Sequence, residues 1–432
     1  MSKRPTGIQN TRLCRRNAAR LPAFLLLCVP VHAATLVRSD PAFEKYPVDQ
    51  WLHETHQPHL RWRVELPPTE LTAHQRLMAR VITHIDGREL DRRRGEGDFL
   101  VLMQYRDESG RLWQQHAGVD LAKIQPGVAG NEVVVTNFAF VLPGEYLVTV
   151  AVIDTRTGEH NAVQRKLHVP ALKTDPLRDA WAGLPPVEFI APTVAPPDVW
   201  YLPDIQSHLK LTLETRHAVH VQILVNTTPT ERAAGSAYAL RRNMSLLIPA
   251  LKVLSQIEVR NGSVDAAFLD LTRRRIAFEQ KDIHIPDWEL ARQFFLQLNP
   301  GIIDVHALEG QWKMRRFFWE QVTRRLAVQG PEIPVVIVLS GPAFLEDQEP
   351  VEAVTSANSH LFYVRYRALP VRARARPRPG MRPPPPPTAF SPMSVDDLEH
   401  TVEPLGARLF DAATAEQFRR VLAAILEQIS QI

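Results

Sequence analysis

One amide and two hydroxyls follow an apolar strand-forming segment of the chain and could give oxygen ligands to a cation. The apolar run 219–225 ends in Asn226, and Thr228 and Thr230 follow at alternate positions. Hard divalent ions take oxygen ligands, and tight binding needs anionic ones. Because this loop carries no charge, we expect hydrogen bonds rather than a metal ion to hold it.

The second half of the chain, residues 205–432, alternates strand-forming segments with segments of helical period. Such alternation predicts an α/β doubly wound fold, with a mostly parallel sheet and helices on both faces. The predicted strands are residues 219–225, 264–271, 275–279, 333–339, 361–366 and 407–410. The predicted helices are residues 237–255, 287–298, 311–326 and 415–429.

A second strand end brings further polar groups to the same edge of this sheet. Ser340 and Gly341 follow the predicted strand 333–339. Since ligands gather at the carboxyl ends of strands in open parallel sheets, we expect a crevice where the two strands end. The predicted partner-binding residues are Asn226, Thr228, Thr230, Ser340 and Gly341.

The first half of the chain has a different pattern. Residues 59–170 contain short alternating apolar segments separated by turn residues, which predicts a β-sandwich. Segments 143–154 and 163–169 resemble the closing hairpin of an immunoglobulin-like (Ig-like) domain. The proline-rich stretch 171–204 has little periodicity and predicts an extended, semi-rigid linker. The chain is therefore predicted to be multidomain, with a β-sandwich followed by the α/β fold.

An arginine- and proline-rich insertion, residues 370–394, interrupts the second half. Its composition predicts a solvated, polyproline-like loop. It could bind an anionic surface, and the alternative is a surface insertion without a role of its own. The arginines concerned are Arg372, Arg374, Arg376, Arg378 and Arg382.

The first 33 residues have the layout of a secretory signal, with six basic residues, a short apolar stretch and a small-residue cleavage site. We therefore expect an exported protein, periplasmic or extracellular, without a transmembrane segment after signal removal. Removing this segment changes the formal net charge from +4 to −2, so composition gives no reason to expect a nucleic-acid partner. Cys14 and Cys28 both lie in it, which excludes cysteine chemistry from the mature chain.

The region from about residue 205 onward resembles a von Willebrand factor A (vWA) domain, and the whole chain resembles exported bacterial vWA-related proteins with an Ig-like domain in front. Three places carry the resemblance: Asn226-x-Thr228-x-Thr230 after its strand, the strand end 335–341, and the tail 398–411. In this family a divalent ion, usually Mg²⁺, binds at the carboxyl edge of the sheet, and a carboxylate of the partner protein completes its coordination.

The chain departs from the family pattern at the ion site. Asn226 replaces the first carboxylate, Gly341 stands where the second is usual, and region 299–310 lacks the expected threonine. Losing two anionic ligands removes attraction on the order of several kcal/mol, even at an effective dielectric constant near 20. The resemblance therefore implies a degenerate site with no bound cofactor. Any ion that did bind would use oxygen atoms of Thr228, Thr230, Asp304, Glu346 and Asp347.

The sequence predicts an exported, non-catalytic binding or scaffold protein whose partner is another protein, with no small-molecule substrate. Two alternatives stay open: metal-dependent adhesion through a modified ion site, and a hydrolase of cell-envelope material. The enzyme is the less favoured because the sequence has no Gly-x-Ser-x-Gly, P-loop or dinucleotide fingerprint.

Overall fold

The structure is a computed structural model that describes most of the chain between residues 40 and 432. The described ranges are 40–54, 60–190, 205–228, 247–283, 313–328, 330–343, 345, 352–353, 359–366 and 396–432. The predicted signal 1–33 and the insertion 370–394 lie outside these ranges. No helix among the described residues is both long and apolar enough to cross a membrane.

Residues 60–190 form two antiparallel sheets that pack face to face, and we call this region the antiparallel unit. Two short helices, α1 (Pro41–Lys45) and α2 (Val48–Trp51), precede it, and α3 (Gly87–Arg92) lies between β3 and β4. The first sheet has the order β1-β3-β6-β9, with β2 paired to β3, and the second has the order β5-β4-β7-β8. The strands are β1 (Trp62–Glu65), β2 (Glu70–Leu71), β3 (Leu77–Asp86), β4 (Asp98–Asp107), β5 (Leu112–Asp120), β6 (Glu132–Val141), β7 (Gly144–Asp154), β8 (His160–Val169) and β9 (Val187–Ile190).

Alternation along the strands places the core between the two sheets. Val148 and Val150 of β7 pack with Val81 of β3 and Val133 of β6 in one buried cluster. Ile153, from the opposite face of β7, packs with the α2 residues instead. Because successive side chains of a strand point to opposite faces, the apolar side chains of β7 pack alternately in the core between the sheets and against the short helix α2.

The described residues between 205 and 432 form the parallel-sheet unit, which is built around a six-stranded sheet of order β14-β13-β11-β15-β16-β17. Every strand pair in it is parallel except β13 with β14. A separate parallel pair joins β10 to β12. The strands are β10 (Leu211–Leu213), β11 (Val219–Asn226), β12 (Ile257–Val259), β13 (Gly262–Asp270), β14 (Arg275–Gln280), β15 (Ile333–Ser340), β16 (His360–Tyr366) and β17 (Arg408–Ala412).

Helices cover both faces of the six-stranded sheet. Ile223 of β11 packs on one side with α4, whose described part is residues 247–254, and with Phe418 of α7 (Ala415–Ser430). Leu224, the next residue of β11, packs on the other side with α5 (Met314–Leu326) and α6 (Asp397–Val402). β11 is therefore buried on both faces, which explains its mostly apolar sequence.

The predicted β-sandwich followed by an α/β fold requires several sheets, and the described residues form several sheets. The strands predicted after residue 205 are present with ends shifted by one or two residues, and the predicted helix 287–298 lies outside the described residues. The linker prediction is wrong in part. Val187–Ile190, inside the predicted linker 171–204, pairs with β6 and completes the first sheet. Two prolines precede this strand in the sequence, and proline is tolerated at sheet edges, where a strand pairs on one side only.

Arg419 of α7 ties the two units together. The guanidinium forms two hydrogen bonds with Asp175, at 2.6 and 2.8 Å, and donates to the carbonyl of Leu177 at 2.9 Å. It also lies 4.7 Å from the centre of the Trp181 ring. Arg419 is 1% exposed, so its charge is stable there only because these partners replace water.

The turn before β3 completes this interface. Gln75 donates its side-chain amide to the carbonyl of Ala415 at 3.1 Å, and its own carbonyl accepts from the Trp181 indole at 2.8 Å. A side chain of the antiparallel unit is thus fixed against the start of α7.

Replacing Arg419 with methionine should lower the free energy of unfolding by about 3 kcal/mol, because the substitution leaves the Asp175 carboxylate without its cation. Arg420, the next residue of α7, is exposed and provides the matched control. The R420M variant should differ from wild type by less than about 0.5 kcal/mol. Urea denaturation measures both variants, and similar losses in the two would show that the ion pair does not hold the units together.

Candidate functional site at the carboxyl edge of the parallel sheet

The order of the six-stranded sheet creates a switch point between β11 and β15. In this sheet β13 and β14 lie on one side of β11, and the later strands β15, β16 and β17 lie on its other side. In open parallel sheets the crevice used for binding lies where the strand order reverses, beyond the carboxyl ends. Asn226 ends β11 and Ser340 ends β15.

Asn226 and Ser340 meet at this switch point. Val225 and Leu339, the residues before them, are paired in the parallel ladder, so the two polar side chains leave adjacent strands at the same level. The Asn226 amide nitrogen donates to the Ser340 hydroxyl at 3.0 Å, and the amide oxygen accepts from the backbone N–H of Thr228 at 3.0 Å. Asn226 and Ser340 are both fully buried. Each polar atom of the Asn226 amide group therefore has a protein partner.

The threonines after Asn226 fasten the loop to β13. Thr227 donates its hydroxyl to the carbonyl of Leu269 at 3.0 Å, and the hydroxyl of Thr228 accepts from the backbone N–H of Leu271 at 2.8 Å. Thr227 and Thr228 are 3% and 8% exposed, respectively. The Thr228 hydroxyl, which was expected to be a ligand only if an ion bound, thus accepts a hydrogen bond from the protein backbone.

A second buried pair, Tyr363 and Asp396, lies beside the first. Tyr363 of β16 donates its hydroxyl to Asp396 at 2.8 Å, and the Tyr363 hydroxyl also interacts with Ser340. The other carboxyl oxygen of Asp396 accepts from the backbone N–H groups of Ala343 and Leu398, at 3.1 and 3.3 Å. Hydrogen bonds thus connect the ends of β11 and β15 with the middle of β16 and the start of α6, and we call Asn226, Ser340, Tyr363 and Asp396 the edge network.

The edge network places its one carboxyl group in a dry environment. Burial raises the pKa of Asp396 above its ordinary value, although the three hydrogen bonds and the Arg365 guanidinium at 3.8 Å act in the opposite direction. Arg365 is itself paired with Asp411 and Glu399, and the hydrogen bonds that Arg365 donates to Asp411 are the largest cause that raises the pKa of Arg365. Burial also raises the pKa of Tyr363, so its hydroxyl stays protonated and can donate.

The structure brings together some of the predicted site residues and leaves others outside its described ranges. Asn226, Thr228 and Ser340 lie within one set of hydrogen bonds, and Gly341 is buried beside them and accepts from Ser340 at 2.6 Å. The remaining candidates lie outside the described residues: Thr230, Asp304, Glu346, Asp347, Arg372, Arg374, Arg376, Arg378 and Arg382.

Sequence reasoning did not identify Tyr363 and Asp396. A local signal existed for Asp396, because Asp396-x-x-Glu399 has the spacing of a capping box and Asp396 caps α6 in the structure. Tyr363 lies in an apolar strand and carries no comparable signal. Its role depends on a partner 33 positions away in the sequence.

The chemistry available at the described part of this edge is hydrogen bonding. The Ser340 hydroxyl accepts from an amide and donates to a carbonyl, so neither of these partners can act as its general base. Among the described residues no group of three or more His, Cys, Asp or Glu side chains could hold a metal ion. These hydrogen bonds fix the positions at which the chain leaves β11 and β15.

No protein-family model matches the chain, and no curated protein matches it in sequence. Among solved structures, the Northeast Structural Genomics Consortium target SoR45 is 15% identical, covers 28% of this chain and 94% of its own, and has a TM-score of 0.18. Beta-glucuronidase 2 of Bacteroides uniformis, covalently bound to cyclophellitol-6-carboxylate aziridine, is 8% identical, covers 71% of this chain and 36% of its own, and has a TM-score of 0.17. Likenesses this low support no argument about fold or function.

Replacing Tyr363 with phenylalanine should destabilise the protein by about 1–3 kcal/mol near pH 7 and by less near pH 4. Burial already raises the folded-state pKa of Asp396 above 3.8, so the free energy of unfolding falls as the pH rises through that pKa. Removing a donor to the carboxylate raises this pKa further. The loss therefore grows with pH, which urea denaturation at the two pH values measures.

Tyr366 provides the matched control for this substitution. It is a buried tyrosine of the same strand, and its hydroxyl makes no hydrogen bond among the described residues. We expect Y366F to have the same small effect at both pH values. A Y363F effect that does not change with pH would argue against an ionisable Asp396 in the edge network.

Proposed function

We propose that the protein is an exported, non-catalytic binding or scaffold protein. In this proposal an Ig-like domain precedes a vWA-like domain with a degenerate ion site, and a protein partner binds at the carboxyl edge of the parallel sheet without a metal ion. The observation that carries the proposal is the hydrogen bond of 3.0 Å between the buried side chains of Asn226 and Ser340. An amide engaged with a neighbouring hydroxyl stands where the family resemblance expects an ionised metal ligand.

The sheet topology supports the vWA-like interpretation. When the six strands of this sheet are numbered along the chain, beginning with β11 and leaving out β12, their spatial order is 3-2-1-4-5-6. This is a common doubly wound order. The third strand, β14, is an edge strand and is antiparallel to its neighbour. The crevice expected from this order lies at Asn226 and Ser340, where the resemblance also places the ion site.

The antiparallel unit supports the Ig-like interpretation through its closing hairpin. Tyr146, near the start of β7, donates its hydroxyl to the carbonyl of Leu142 at 3.0 Å. A tyrosine that bonds back to the backbone a few residues upstream is typical of Ig-like sandwiches. The same hydroxyl lies 3.2 Å from the carbonyl of Pro186, next to β9.

The electrostatics of the edge network support metal-independent binding. A divalent ion at this position would have to displace the hydrogen bonds of Asn226 and Thr228 and would gain only neutral oxygen ligands from them. The carboxyl group of Asp396, which belongs to the edge network, already accepts from Tyr363 and two backbone N–H groups. Desolvating a divalent ion without anionic ligands is unfavourable.

In this proposal the buried edge network does not contact the partner and instead positions the neighbouring segments of the chain. Asn226, Thr228 and Ser340 are too buried to contact a partner directly. They fix the points where the chain leaves β11 and β15. The partner then contacts the segments that continue from these points, within residues 227–231 and 340–349.

Calorimetric titration of the wild-type protein with Mn²⁺ should give no saturable heat up to millimolar ion, and EDTA should leave partner binding unchanged. Replacing Asn226 with aspartate restores one anionic ligand and should strengthen Mn²⁺ binding at least about tenfold, at a cost of about 2 kcal/mol in stability. Asn137, a buried residue of β6 in the antiparallel unit, provides the matched control, and N137D should gain no affinity for the ion.

Two results would count against this proposal. Saturable wild-type binding near physiological ion levels would favour metal-dependent adhesion instead. Equal Mn²⁺ responses of N226D and N137D would show that Asn226 does not occupy the position of a metal ligand.

A further inference from the structure

Three consecutive arginines occupy the connection between β13 and β14. Arg273 and Arg274 lie in the turn, and Arg275 is the first residue of β14. We call this connection, residues 271–275, the arginine turn. Because β13 runs parallel to β11, the arginine turn leaves the sheet at its carboxyl edge. The hydroxyl of Thr228 accepts from the backbone N–H of the first residue of the turn at 2.8 Å, so the turn lies against the segment that follows β11.

The arginine turn contacts the carboxylate of Asp270, which does not pair with Arg274. Asp270 lies 3.1 Å from the guanidinium of Arg273 and 3.5 Å from that of Arg275. The guanidinium of Arg274 forms no ion pair and no hydrogen bond with the part of the chain that the structure describes, and its buried Nε atom also lacks a partner there. The positive charge of Arg274 is therefore not balanced within the turn.

Arg275 adds a second positive charge that is open to a partner. Its side chain is 53% exposed, and its contact with Asp270 is longer than the one that Arg273 makes. An exposed ion pair of this length contributes little and is readily exchanged for a better one. Arg273 pairs with Asp270 and has no part in the inference.

The backbone at Arg274 favours a different residue. Its φ is +49°, in the left-handed region where glycine and asparagine are common and where other side chains cost stability. Local backbone structure therefore does not explain an arginine at this position. Residues held in such conformations are concentrated at functional sites.

We propose that the arginine turn binds an acidic segment of the protein partner, with Arg274 pairing with a partner carboxylate and Arg275 adding a second positive charge. This inference rests on the proposed function, because that function places the partner at the carboxyl edge. A guanidinium can donate two parallel hydrogen bonds to one carboxylate, which makes such pairs both strong and specific in geometry. Arg274 has no existing ion pair to break before it binds the partner.

Two cations suit a short acidic segment of a protein better than a nucleic acid. Proteins that bind a nucleic-acid backbone gain most of their affinity from many phosphate contacts. Without the predicted signal 1–33, the formal net charge of this chain is −2, which disfavours a long polyanion. A protein segment with a few carboxylates needs no extended basic surface.

The test uses the full chain and two fluorescein-labelled peptides of equal length, one of alternating glutamate and glycine and one with glutamine in place of glutamate. Fluorescence anisotropy at low ionic strength, in the presence of EDTA, measures their affinities. The wild-type protein should bind the glutamate peptide about tenfold more tightly than the glutamine peptide, and added salt should reduce this difference. Replacing Arg274 with asparagine should weaken binding of the glutamate peptide about fivefold.

The choice of asparagine separates lost binding from lost stability. Asparagine suits the left-handed backbone at position 274, so the urea midpoint of R274N should be no lower than that of wild type. The R274K variant keeps the charge and should retain part of the affinity.

Arg216 provides the matched control. It is an exposed arginine in the bend before β11, at the opposite edge of the same sheet. The R216N variant should bind the glutamate peptide as tightly as wild type does. Equal affinities of R274N and wild type would overturn the proposal, and so would equal losses in R274N and R216N.

Two further outcomes separate this proposal from the proposed function. Equal binding of an oligothymidylate of the same charge would overturn the assignment of a protein partner to the arginine turn. Absence of peptide binding, both in EDTA and in Mn²⁺, would overturn the arginine-turn proposal alone. Peptide binding that appeared only in Mn²⁺ would instead overturn the proposed metal-independent function, and this proposal with it.

Discussion

Asn226 at the end of β11 sets the constraint that governs the carboxyl edge of the sheet. The side chain is completely buried, so every polar atom it carries must find a protein partner. A neutral amide meets this requirement by donating to Ser340 and accepting from Thr228. An ionised group at the same place would need either a cation or a much larger set of donors. The side chains of Asn226 and Ser340 are therefore stable as neutral groups bonded within the protein, and they offer a cation no anionic ligand.

The sequence predicted the central sheet well, and the reasons are physical. β11 and β15 are apolar because helices cover both faces of the sheet, and such runs are visible without a structure. The proximity of Asn226 to Ser340 follows from the rule that parallel strands end at one edge. The sequence analysis did not predict β9 because the strand has only four residues and follows two prolines. Its pairing with β6 joins segments far apart in the sequence, which no local pattern reveals. Tyr363 and Asp396 were missed for a similar reason, since their contact joins two elements that no local pattern connects.

Buried charge couples the two units. Arg419 holds Asp175 and the backbone near it, and Gln75 reaches from the antiparallel unit to the start of α7. Trp181 lies against the same guanidinium and donates to the backbone of Gln75. A buried ion pair of this kind favours one relative placement of its elements, because any other leaves a charge without partners. In the proposed binding function, such rigidity would present a fixed surface to a partner.

In the proposed function, hydrogen bonds occupy the switch point of the parallel sheet and no metal ion binds there. A crystal of the full chain soaked in millimolar Mn²⁺, with anomalous data collected near the manganese absorption edge, tests it most directly. We expect no anomalous peak within coordination distance of Asn226, Thr228 or Ser340, and an intact hydrogen bond between Asn226 and Ser340. A strong peak beside those oxygen atoms, with the amide turned away from Ser340, would contradict it.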